Sequence, residues 1–334
     1  MTYEQLIGDL KKKAYRPIYF LYGDEPYYID LVTDYITGNV LTEAEKSFNQ
    51  TIVYGKDSDA GQVINLAKRY PMMASHQVVV VREAQELKDF DSLIHYAEHP
   101  LSSTLLVINY KYKNPDKRKK VFKALEQSGV SFQSKKLYDN QVPGWISDYV
   151  SSRDYRIEPK AAALLAEFLG SDLSRIANEL EKLFIAIGEK HRNITPLDVE
   201  VNIGISKDYN QFELQNALGK KDAVKANRII NYFAGDPKNH PVTITIASLY
   251  YFFSKLLLIH YLKDRSRQNV ASALKVNPFF VQEYEAASRR YSATRLVEII
   301  SLLRTYDMRS KGYDGDTTDA GELQRELIYK ILHT

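Results

Sequence analysis

The stretch Pro17-Ile18-Tyr19-Phe20-Leu21-Tyr22-Gly23-Asp24-Glu25-Pro26-Tyr27-Tyr28-Ile29-Asp30 reads as a β-rich run, a tight turn at Gly23 and a helix opening on Pro26. That succession is where a phosphate-binding loop lies. A working loop needs a second glycine, a lysine for the phosphates and a hydroxyl for magnesium. Counting from Gly23, those slots hold Tyr28, Ile29 and Asp30. Bulky side chains and the carboxylates of Asp24 and Glu25 would repel a triphosphate rather than cradle it.

Outward from this stretch, the first 140 residues alternate short β-rich runs with helical patterns, the rhythm of a parallel sheet covered by helices. Four runs are clear: Pro17 to Tyr22, Thr51 to Tyr54, Gln77 to Val81 and Thr104 to Ile108. Val130 to Gln133 is a weaker fifth. Val78-Val79-Val80-Val81 and Leu105-Leu106-Val107-Ile108 are apolar without alternation, as expected of strands buried on both faces. Helix-compatible segments fall at 26–39, 59–70, 89–98 and 117–128. The acid that would hold magnesium should follow the Val78 to Val81 strand, yet Arg82 comes first and Glu83 second. Asn109, ending the next strand, reads either as a water-positioning residue or as a strand-end hydrogen bond.

From Val142-Pro143-Gly144-Trp145 onward the β pattern disappears and the chain reads as helical, which places a domain boundary there. Ile176, Leu180, Leu183, Phe184 and Ile187 form one apolar stripe at helical spacing. Gly170 is placed to end the preceding helix, Ser171 to cap this one, and Thr195-Pro196 to start another. Glu189 to Asn193 is a polar break. A second boundary is expected near Ser206 to Gln211. Gly235-Asp236-Pro237 and Asn277-Pro278 interrupt the longer helices beyond it, and Lys311 to Gly321 is a polar loop before the last one.

At 334 residues the chain exceeds what one core usually supports. Hydrophobic residues at 44% and charged residues at 26% are those of a folded globular protein. Its 45 basic residues nearly cancel 42 acidic ones, so any nucleic-acid contact must come from a local patch. The absence of cysteine excludes disulfides and thiolate chemistry and suits a reducing cytoplasm. Met1-Thr2-Tyr3-Glu4-Gln5 opens no secretory signal, so a cytoplasmic protein is expected. Val242 to Leu262 is apolar enough to raise a membrane question. Lys255 within it, among Thr243, Thr245, Ser248 and His260, points instead to a helix buried against other helices, with no membrane partner.

The densest basic cluster is Lys111, Lys113, Lys117, Arg118, Lys119, Lys120 and Lys123, interrupted by Asp116. It reads as a solvated face or as a phosphate-contacting surface. Tyr313, between Arg309 and Lys311, is a candidate aromatic platform for a terminal base. His95 and His99 stand at ligand spacing without a third ligand, which favours solvated histidines over a metal site. No nucleophile elbow or catalytic triad is visible. Tyr70-Pro71-Met72-Met73 lies in a short connection before the Gln77 strand. Two adjacent methionines there read as core filling or as flexible thioethers offered to a partner.

Phe168-Leu169-Gly170-Ser171-Asp172-Leu173-Ser174-Arg175-Ile176-Ala177-Asn178-Glu179-Leu180-Glu181-Lys182-Leu183 is similar to a glycine, polar, aspartate-leucine element followed by a Glu-x-Glu-Lys-Leu helix. With Leu21 to Pro26, Tyr70 to Val81 and Phe212 to Ala217 in the same order, the whole chain resembles the delta subunit family of bacterial clamp loaders. The resemblance implies three domains. An AAA+-like, P-loop NTPase-type α/β domain spans 1–140, a small helical lid 141–208 and a helical collar 209–334. It implies no catalytic residue and no cofactor, in agreement with the failed nucleotide motifs. It implies that Met72 and Met73, with Pro71, bind and open the beta sliding clamp, in place of the commoner leucine-phenylalanine pair. The tau/gamma ATPase and delta-prime subunits would be partners, and Lys117, Lys119, Lys120 and Tyr313 would touch primed DNA. Two rival readings differ in kind: an active AAA+ ATPase, which Ile29 opposes, and a nucleic-acid-binding module working without a clamp.

Overall fold

The computed structural model describes residues 1–188, 191–204, 206, 208–313 and 318–334. Two compact units result, Met1–Leu137 and Tyr138–Thr334. The first holds α1 (Tyr3–Lys11), β1 (Ile18–Gly23), α2 (Pro26–Asn39), α3 (Glu43–Asn49), β2 (Gln50–Tyr54) and α4 (Ala60–Ala67). It continues through β3 (Gln77–Arg82), α5 (Ile94–Ala97), β4 (Thr104–Lys111), α6 (Lys120–Ser128) and β5 (Val130–Ser134). The five strands form one parallel sheet in the order β2-β3-β4-β1-β5.

Side chains along β1, β3 and β4 alternate between two buried layers, which is why these runs are apolar without a break. Ile18, Phe20, Val79, Val81, Leu106 and Ile108 face Val63 of α4 and Phe122 and Leu125 of α6. Tyr19, Leu21, Val78, Val80, Leu105 and Val107 face Leu6 and Leu10 of α1 and Ile29, Val32 and Ile36 of α2. Edge strand β2 is only half-buried, because it has β3 on one side and no strand on the other.

Two helices escaped the sequence reading, although each carries a capping box: Thr2 with Gln5 before α1, and Thr42 with Glu45 before α3. The helix expected at 89–98 is a 3-10 turn, Phe90–Leu93, followed by the short α5, after a left-handed Asp89. The helix expected over 59–70 ends at Ala67, and Pro71 bars Tyr70 from continuing it.

The second unit contains α7 (Val142–Ser151), β6 (Arg156–Ile157), α8 (Pro159–Leu169), α9 (Leu173–Ile187), β7 (Asn193–Ile194) and α10 (Pro196–Ile203). Then follow α11 (Gln211–Lys220), α12 (Ala223–Gly235), α13 (Val242–Tyr261), α14 (Arg267–Leu274), α15 (Val281–Ser288), α16 (Ala293–Ser310) and α17 (Ala320–His333). The unit is almost wholly helical, as expected, with a short parallel pair, β6-β7, that the sequence did not signal. Gly170 ends α8 with a positive φ as expected, but Asp172, not Ser171, caps α9 by accepting from the Arg175 N–H. Thr195 caps α10 with Pro196 at its first position.

The polar break at 189–193, the boundary near 206–211 and the loop at 311–321 each lie partly outside the described residues. Helix α13 is the one described helix long and apolar enough to cross a membrane. Leu249, Phe253 and Leu256 bury it in the core of helices α11 to α17. Burial lowers the Lys255 ammonium below its usual pKa, and the Tyr284 ring lies 5.7 Å away.

Candidate functional site

At the Gly23 turn the backbone packs closely against the end of β5. Gly23 has φ of 135°, and a Cβ there would lie 1.9 Å from the Ser134 carbonyl oxygen, so only glycine fits. Its own carbonyl accepts from the Tyr112 N–H at 2.9 Å. Glu25 is buried and accepts from the Tyr27 N–H at 3.0 Å, placing a fixed carboxylate at the positive end of α2. An incoming phosphate would meet that negative charge where a nucleotide site offers bare N–H groups.

The three motif slots have been put to other uses. Tyr28 packs its ring 5.0 Å from that of Tyr3, and Ile29 is wholly buried in the core beneath α2. Asp30 receives Lys111 Nζ at 2.6 Å, and the same ammonium lies 3.9 Å from Glu83. The Lys111 side chain is only 9% exposed. This lysine therefore leaves the basic surface cluster in which its sequence position put it. Arg82 turns outward to Asp34 at 3.7 Å. Asn109 is buried and accepts from the Thr33 hydroxyl at 3.0 Å, which settles its role as a hydrogen bond between β4 and α2.

A second constellation lies in the connection between α4 and β3. Gln77 is buried, and its amide Nε2 donates into the carbonyls at the C-terminal end of α4, those of Leu66 and Ala67 at 3.2 Å. Between those anchors Met72 is 61% exposed and Met73 is 99% exposed. Met73 also has φ of 51°, a left-handed conformation that costs a non-glycine residue roughly 1–2 kcal/mol. A core role for the pair is excluded by that exposure. Tyr70 and Phe48 are exposed large rings in the same unit, while Pro71 is half-buried.

Asn49, the last residue of α3, was missed in the sequence. It is 4% exposed and holds the Met72 peptide at both ends: Oδ1 accepts from Met72 N–H at 2.6 Å, and Nδ2 donates to the Met72 carbonyl at 2.9 Å. Nδ2 also donates to the Glu45 carbonyl at 3.0 Å.

Lys119 is held by Asp91 at 2.8 Å, Lys117 sits 5.2 Å from the centre of the Tyr22 ring, and Lys120 is exposed at the start of α6. Arg118 pairs with Asp116, whose carboxyl its guanidinium draws down to about 2. Tyr313 is exposed in the second unit. His95 and His99 are both exposed, and no metal-binding cluster occurs among the described residues.

The family model described as DNA polymerase III, delta subunit, matches residues 19–135, and the model for the C-terminal domain of the same DNA polymerase III delta subunit matches residues 208–324. The chain is 27% identical over 335 residues to DNA polymerase III subunit delta of Bacillus subtilis (strain 168), spanning 97% of this chain and 93% of that protein. Its fold is similar to that of the Bacillus subtilis DNA clamp loader delta protein, with a TM-score of 0.54 and 24% identity over the full length of both. Matched at both ends by the family's own models, and carrying the α/β unit followed by the helical one, this chain belongs to the DNA polymerase III delta subunit family.

Proposed function

We propose that this delta subunit is the non-catalytic member of a cytoplasmic clamp loader, which binds the beta sliding clamp through Met72 and Met73 and opens it for loading onto primed DNA. The observation that carries this reading is Met73, an apolar side chain 99% exposed on a strained turn whose preceding residue, Met72, is held by Asn49 at both its N–H and its C=O. Folding gains nothing from such a side chain, whereas a partner pocket does. Burying both methionines would supply roughly 3 to 6 kcal/mol before entropy costs. Only the part of that energy available to the open clamp and not to the closed one shifts the equilibrium.

The Gly23 loop supports the non-catalytic half of the reading, since Glu25 and Lys111 supply internally the charges that a nucleotide and its metal would bring. ATP control then belongs to the tau/gamma partners. Residues 141–208 serve as a lid and 209–334 as the collar that joins those partners and delta-prime, through large apolar helix faces. Lys117, Lys119, Lys120 and Tyr313 contribute to holding primed DNA in the assembled loader. Binding of the purified chain to its own organism's sliding clamp, with release of that clamp from circular DNA in the absence of ATP, tests the proposal. No binding at micromolar concentrations would contradict it.

A further inference from the structure

We infer that Asn49 is the positioning residue of the clamp-contact turn, an inference that rests on the clamp reading of Met72 and Met73. The side-chain amide of Asn49 pairs with the Met72 peptide as a neighbouring strand would, accepting from its N–H and donating to its C=O. Backbone groups in a connection are ordinarily left to water. Here the pair is made by a residue 4% exposed, at the end of α3.

The consequence lies one residue on. With the Met72 peptide fixed, the chain enters Met73 in a set direction, and Met73 adopts φ of 51°. Methionine has no intrinsic preference for that region, since its Cβ crowds the following carbonyl. Something outside the residue must hold it there, and Asn49 is the side chain bonded to the adjoining peptide. The third bond, to the Glu45 carbonyl, fixes the Asn49 amide itself against α3. The turn is thus set before the partner arrives, and the ordering cost of binding falls accordingly. Without the amide, the turn samples other conformations and the methionines meet the clamp in the right geometry only part of the time.

The chain contains four methionines, Met1, Met72, Met73 and Met308, so methyl-13C methionine labelling reports on the turn directly. Asn49→Ala should move the Met72 and Met73 methyl signals and leave that of Met308, in the other unit, in place. Clamp affinity should fall by about tenfold. A turn whose methyl signals and clamp affinity match the parent would overturn the inference. Should Asn49→Ala lower the melting temperature appreciably, Asn49→Asp keeps volume and acceptor while removing both donated bonds. It must show the same methyl shifts and weakened binding, and parent-like behaviour again overturns the inference. Met72→Ser/Met73→Ser measured alongside separates the two claims. If that variant still binds the clamp, the clamp reading fails, while the methyl signals of Asn49→Ala still decide whether Asn49 sets the turn.

Discussion

Lys111 Nζ stands 2.6 Å from the Asp30 carboxylate, at the position where a nucleotide-binding relative would need a hydroxyl for magnesium. A buried internal cation thereby does the charge balancing that a metal would do. Lys111→Met leaves Asp30 and Glu83 facing each other without it and should cost about 1–2 kcal/mol, less than a fully buried pair because Asp30 keeps water around it. Asp30→Asn in the same chain should restore most of the loss. Urea unfolding of the three variants checks the order; equal stability of Lys111→Met and parent would show that the pair is idle.

Mg-ATP should not bind at the Gly23 loop. The Glu25 carboxylate already caps α2, and Ile29 replaces the phosphate-binding lysine. Isothermal titration with Mg-ATP is expected to give no heat beyond dilution. Micromolar binding that a charge reversal at Asp30 abolishes would contradict the account.

The carboxyl of Glu213, on α11, is pushed up by burial, but ion pairs with Lys160 of α8 and Lys225 of α12 outweigh this and hold it below its usual value. A depressed folded-state pKa stabilises above the unfolded value near 4.3 and is lost as pH falls through the folded one. Melting temperature should therefore drop as pH is lowered below about 4. Glu213→Gln should lose about 1–2 kcal/mol at neutral pH and show a shallower fall in acid. An unchanged acid limb would remove Glu213 from this role.

That same trio bears on where the chain can be cut. Lys160 precedes the boundary proposed at 208 and Glu213 follows it, so a fragment ending there would break a buried ion pair. A fragment of residues 1–137, which matches the first compact unit, should keep clamp binding and fail to enter the loader. Assembly of that fragment with the ATPase subunits would contradict the collar assignment.

Replacing Lys117, Lys119 and Lys120 with glutamine should lower the salt slope of primed-DNA binding by the assembled loader, by roughly one unit for each phosphate that is no longer neutralised. Lys119 must first leave Asp91, so it should contribute the least of the three. An unchanged slope would take the cluster off the DNA path.

The parallel sheet and the failed phosphate loop were legible because their signals are local: an apolar run, one glycine, three wrong residues at Tyr28, Ile29 and Asp30. The capping boxes at Thr2 and Thr42 are equally local signals. What the sequence hid depends on pairings between distant segments. Lys111 reads as one lysine among seven basic residues until β4 carries it beside α2, and Asn49 reads as an ordinary polar residue until α3 sets it against the methionine turn. Left-handed Met73 was hidden for another reason, since nothing in a methionine signals positive φ. The pair's exposure was open in the sequence because adjacent residues in a short connection allow either reading.

The central claim stands or falls on Met72→Ser/Met73→Ser, with clamp affinity and thermal melt measured on one preparation. Because both side chains are exposed, the melt should shift by no more than about 0.5 kcal/mol in stability. Removing both thioethers should cost roughly 3 kcal/mol of binding, about a hundredfold in affinity. Undiminished clamp binding with an unchanged melt would place the clamp-binding surface elsewhere on the chain.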